Sequence, residues 1–125
     1  MPKARPKHLN LFVIKQPITA VASIMHRVSG FVLFLFLALF LWLLQRSIAS
    51  PESFALLKEQ ISNPVVKIIL FGLLWGYLHH LFAGIKHLLF DVHIGAADIA
   101  TAKMLAVLVF VCSLGLLLLA VVTLW

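Results

Sequence analysis

The sequence predicts an all-α integral membrane protein: three transmembrane helices, a cytoplasmic N-terminus and a short interfacial helix between helices one and two. Three observations predict it. Of 125 residues, 63% are hydrophobic and only 11% charged, too few polar groups to furnish a water-facing surface. Apolar runs from about Val28 to Leu44, Val65 to Phe90 and Met104 to Trp125 are each long enough to cross ~30 Å of hydrocarbon at ~1.5 Å per residue. The ten basic residues divide unevenly. Lys3, Arg5, Lys7, Lys15, Arg27, Lys86 and Lys103 fall on one side and Arg46, Lys58 and Lys67 on the other, which puts the N-terminus inside and the C-terminus across the membrane. That distribution assigns the net charge of +6 to topology and acidic lipid, not to nucleic acid.

The chain reads as a single membrane-anchor domain over 1–125, with a cytoplasmic arm at 1–16 and transmembrane helices at about 17–46, 64–91 and 103–125. The arm is basic and too short to fold alone, and Phe12 and Ile14 beside its charges suit a strap against a peripheral subunit. Its length, and the length of the first apolar run, fit a cleaved signal peptide poorly. Gln16-Pro17-Ile18-Thr19 starts helix one, with proline at the first helical position. The first two turns carry Ser23, His26 and Arg27 on one face at i, i+3 and i+4. Interfacial depth suits Arg27, because an arginine at mid-membrane costs ~2.5–3.5 kcal/mol on insertion scales.

Ser50-Pro51-Glu52 is an N-cap followed by proline, and Phe54, Leu57 and Ile61 recur at helical spacing, so a short amphipathic helix is expected there. Asn63-Pro64 opens helix two, which ends near Asp91. Helix three is apolar scaffold, and its Cys112 is a packing residue; as the sole cysteine it can form no internal disulfide.

Helix two holds the chemistry. His80, Gly84, His87 and Asp91 share one face, and Gly76 joins it one turn earlier. The two glycines predict a side-chain-free trough beside His80 that takes something flat. Small-residue helix packing explains such a face equally well, but ionisable groups in a membrane point to function. One metal shared by His80 and His87 is excluded, since seven residues span ~10.5 Å of helix and each nitrogen sits ~2 Å from its metal. His79 and His80 diverge by ~100°. A lone deep histidine beside glycines suits an axial haem ligand, and His87, His26 and Arg27 are available to the propionates. Met25 and Met104 sit near helix ends and His26 at the interface, so a second axial ligand must come from another chain. Ser23 and Arg27 also suit a quinone, whose carbonyls accept hydrogen bonds; the residues alone do not require it. A histidine-lined transporter or structural membrane protein is the alternative of a different class.

Arg5-Pro6 with His8-Leu9, Pro17-Ile18-Thr19-Ala20, Ser23-Ile24-Met25-His26-Arg27-Val28-Ser29-Gly30 and His80-x-x-x-Gly84-x-Lys86-His87-x-x-x-Asp91 resemble the cytochrome b membrane-anchor subunit of succinate dehydrogenase, respiratory complex II. The resemblance implies a haem b-binding subunit of succinate:ubiquinone oxidoreductase, in the bacterial cytoplasmic (inner) membrane. It implies His80 as the axial ligand of haem iron, His26, Arg27 and His87 at the propionates, and Ser23 and Arg27 at ubiquinone. It also implies an iron-sulfur subunit, a flavoprotein subunit and a second membrane subunit supplying the other histidine. A fumarate reductase anchor, running the chemistry in reverse, is the near alternative. Lys86 stands where the family has arginine, which keeps charge and loses bidentate geometry.

Overall fold

The computed structural model describes residue 10, residues 13–95 and residues 98–124. All regular structure among them is helical: α1 (Ile18–Leu35), α2 (Leu37–Ala49), α3 (Pro51–Ile61), α4 (Pro64–Asp91) and α5 (Ile99–Leu124). Three helices, α1, α4 and α5, are long and apolar enough to cross a membrane. Most of the arm expected at 1–16 lies outside the described residues.

The starts follow local chemistry. Pro17 precedes α1 as its N-cap, one residue earlier than the first helical position, and its carbonyl accepts the amide of Ala20 at 2.9 Å. Ser50 caps α3 by accepting from the Ser53 amide at 3.1 Å, with Pro51 just inside, an arrangement worth ~1 kcal/mol. Asn63 caps α4 through Oδ1 to the Val65 amide at 2.9 Å, again ahead of a proline. Asp98 accepts the Thr101 amide and hydroxyl, each at 2.7 Å, and so starts α5 at Ile99, ahead of the expected residue 103.

One further feature departs from the expected outline, while α4 ends at Asp91 as expected. Helix one is interrupted at Phe36 (φ −88°, ψ 2°), although Phe36 still donates to Val32 and accepts from Phe40, both at 3.0 Å. No proline or glycine stands there to explain the break. The end of α4 is a Schellman turn: Ile94 donates to the Leu89 carbonyl at 2.8 Å and His93 to that of Phe90 at 3.0 Å. His93 occupies its left-handed position at φ 64°, which explains that histidine as a helix terminator.

Helix α4 is central, packing against both α1 and α5, which also touch each other, while α3 bridges α2 and α4. Small residues make the close seams: Ala22 of α1, Ala83 of α4 and Ala106 and Ser113 of α5 are all fully buried, as expected where helices associate by packing and not by exclusion of water. Outside the seams the bundle is greasy; Phe34 is 71% exposed and Ile48 75%, surfaces for lipid or another membrane chain.

Candidate haem and quinone site

The α1–α4 seam gathers three histidines. His26 of α1 stacks on His80 of α4, ring centroids 4.3 Å apart and 19° from parallel, and touches His87 at 5.1 Å on its other side. His80 and His87, two turns apart on one face, are thus spanned by a ring from the neighbouring helix. The sequence alone sets His26 apart from His80 by depth. Contact between the rings corrects that.

The glycines also act differently from the expected trough. Among the described residues nothing comes within 4 Å of a Cβ placed on Gly76, whereas one on Gly84 meets His26 Nε2 at 3.6 Å, so half of the trough is filled by His26. The glycine that makes room for His80 is Gly30 of α1: a Cβ there would lie 2.7 Å from His80 Cε1 and 3.1 Å from Nδ1. Periodicity along α4 cannot reveal it, because the contact is made by another helix.

His80 is anchored through Nδ1, which lies 3.0 Å from the His26 carbonyl oxygen. A carbonyl only accepts, so Nδ1 carries the proton and Nε2 keeps its lone pair. Nε2 has no hydrogen-bond partner among the described residues. An imidazole oriented by a backbone carbonyl through one nitrogen, with the other presented as a base, is how histidine ligates a metal. Among the described residues no group of three or more histidine, cysteine or acidic side chains is placed to hold a metal ion by itself. The donor set therefore fits haem iron, which the porphyrin already encloses. His26 is badly placed as the opposite ligand: nitrogens ~2 Å from one iron on opposite faces would hold the ring centroids roughly 6 Å apart, well beyond the stacking distance.

Ser23 is half-buried and Arg27 exposed, one turn apart on α1, and neither side chain is hydrogen-bonded to another described residue. His79 sits where the three long helices meet, near the Ala22 backbone of α1 as well as against α5. It is 1% exposed, lies against Trp75 and Phe110 of α5 at 5.9 and 4.9 Å, and neither ring nitrogen has a hydrogen-bond partner. Lys86 is buried at 5% exposure with its Nζ 5.4 Å over the Phe90 ring. It lines a cavity of about 120 Å³ with Leu105, Val109 and Cys112 of α5, on a different side from the histidine stack. A larger groove of about 910 Å³ between α2, α3 and α4, lined by Trp42, Leu57 and Leu70 among others, contains no histidine.

The chain matches the succinate dehydrogenase/fumarate reductase transmembrane subunit family over residues 1–121. It is 40% identical over 122 residues to the succinate dehydrogenase cytochrome b556 subunit of Coxiella burnetii, covering 97% of both chains. The cytochrome b556 subunit of Paracoccus denitrificans is 35% identical over 91 residues, 73% of this chain and 70% of that one. The cytochrome b560 subunit of Reclinomonas americana is 36% identical over 92 residues, 70% of this chain and 64% of that one. With the family matched along nearly its whole length and three apolar helices of spanning length around a histidine seam, the chain belongs to the succinate dehydrogenase/fumarate reductase transmembrane subunits, as a cytochrome b membrane anchor of complex II.

Proposed function

We propose that this chain holds half of a haem b and part of a ubiquinone site, in an assembly that passes electrons from succinate to ubiquinone. The observation that carries the reading is the 3.0 Å contact from His80 Nδ1 to the His26 carbonyl, which leaves Nε2 free to bind iron. Bound there, the haem supplies a reversible one-electron store between the iron-sulfur subunit and the quinone. His80 binds the iron. His26 and His87, in ring contact in the seam, and Arg27, next to His26 in the chain, would donate to the propionates. Ser23 and Arg27 offer hydrogen bonds to a quinone carbonyl at the start of α1, where protons can arrive from the aqueous face. The surplus of basic residues puts that end, and the flavoprotein and iron-sulfur subunits it anchors, on the cytoplasmic side of a bacterial inner membrane.

Replacing His79 and His80 in turn by tyrosine in the assembled complex tests the assignment. His80→Tyr is expected to abolish the native low-spin b-type bands of the reduced-minus-oxidised spectrum, while His79→Tyr retains them. The opposite result would refute it. For the quinone, Ser23→Ala and Arg27→Ala complexes are expected to reduce a soluble dye with succinate at the normal rate and ubiquinone slowly; normal ubiquinone kinetics in both would remove these residues from the site.

A further inference from the structure

The His26 carbonyl has more donors than it can serve. Within a helix it accepts the amide four residues on, at Gly30. It also lies 2.9 Å from the Ser29 hydroxyl, which donates to it, and 3.0 Å from His80 Nδ1. A carbonyl oxygen has two lone pairs, so Ser29 and His80 draw on the same remaining one. Ser29 is itself buried, at 8% exposure, where water cannot relieve the competition. Its Oγ lies 3.4 Å from His80 Nδ1, beyond the ~3.2 Å limit of a good N–H···O bond. The hydroxyl is therefore a competitor of His80 and a poor acceptor for it.

A serine bonding back to the carbonyl three residues earlier is ordinary in helices. Ser47 and Ser113 do the same, to Leu44 at 2.7 Å and Phe110 at 3.1 Å. Among the described residues neither of those carbonyls receives a side chain from another helix. What sets Ser29 apart is that its acceptor is also the one that orients His80.

From this shared acceptor we infer that Ser29 is a positioning residue that weakens the hydrogen bond from His80 Nδ1 to the His26 carbonyl and so limits how strongly His80 donates electron density to its metal. A stronger Nδ1–H···O bond gives the imidazole more imidazolate character, which favours ferric over ferrous iron. Ser29 opposes this and keeps the haem more easily reduced. The inference rests on the haem assignment to His80, and its test separates the two.

The experiment is a potentiometric titration of the haem in the assembled complex, with low-temperature electron paramagnetic resonance of the ferric form. Ser29→Ala is expected to keep its haem and to raise the ferric-to-ferrous ratio at fixed ambient potential by about three- to tenfold, the weight of one net hydrogen bond. The low-spin g values should shift with it, and Ser29→Thr, which restores a hydroxyl, should return both toward wild type. An unchanged potential in Ser29→Ala overturns the inference, as does a shift in the opposite direction, which would make the hydroxyl a support for His80. Should Ser29→Ala fail to assemble, Ser29→Cys, a weaker donor of similar shape, is expected to shift the ratio the same way by less; identity with wild type overturns the proposal. If His80→Tyr retains the native haem signal, the assignment of His80 fails whatever Ser29 does.

Discussion

A glycine decides whether His80 can stand where it does. The Cβ of Gly30→Ala would press on the imidazole at 2.7 Å, and the ring cannot retreat without losing the His26 carbonyl. Overpacking of this kind costs ~1–3 kcal/mol. Gly30→Ala is therefore expected to cut the haem-to-flavin ratio of the assembled complex severalfold, while Gly84→Ala, whose Cβ meets only His26 Nε2 at an ordinary 3.6 Å, leaves it near normal. Equal ratios would show that the seam gives way. Residue types on α4 marked His80 as the candidate ligand, since an imidazole set between glycines in an apolar helix is costly to bury unless it binds something. Gly30, the carbonyl of His26 and the stacking of the two rings were not legible. They depend on how α1 is rotated against α4, and no period along one helix encodes that.

The helices themselves were easier to read, because prolines and capping side chains mark their starts in the chain. Ser50-Pro51 and Asn63-Pro64 open α3 and α4 where the chemistry placed them. The break at Phe36 was not readable, as it falls in an unbroken apolar run. Asp98 shows how such a cap is tied to pH. Hydrogen bonds from the Thr101 amide and hydroxyl hold its carboxyl below the ordinary range. A carboxylate with a lowered folded-state pKa contributes its stability in full above the unfolded value and loses it as pH falls through the folded one. Amide exchange at Thr101 is thus expected to show protection that is level near neutrality and declines in the acid range, and Asp98→Ala should flatten that decline. A decline of equal size without the carboxylate would assign it elsewhere.

At the scale of the molecule, the bundle is an incomplete object. Among the described residues no histidine offers a second ligand across from His80, and large apolar side chains such as Phe34 and Ile48 face outward. Expressed alone with ample haem, the chain is expected to give no stable bis-histidine b-type spectrum as a monomer. Co-expression with a second membrane subunit should produce one; a low-spin signal from the lone chain would show that the site closes internally. The family and the three-span outline were readable from motifs and composition, whereas the different surroundings of the two adjacent histidines, His80 against His26 and Gly30 of α1 and His79 at the junction with Phe110 of α5, needed the assembled bundle. The shared carbonyl also has a meaning in time. His26 and His80 are 54 residues apart in the chain, so at ~5–20 residues per second a ribosome finishes the first several seconds before the second. Until the second long helix arrives, the His26 carbonyl has no imidazole to accept from. The neighbouring Ser29 hydroxyl occupies it, so the newborn segment carries its future docking point into the bilayer already satisfied.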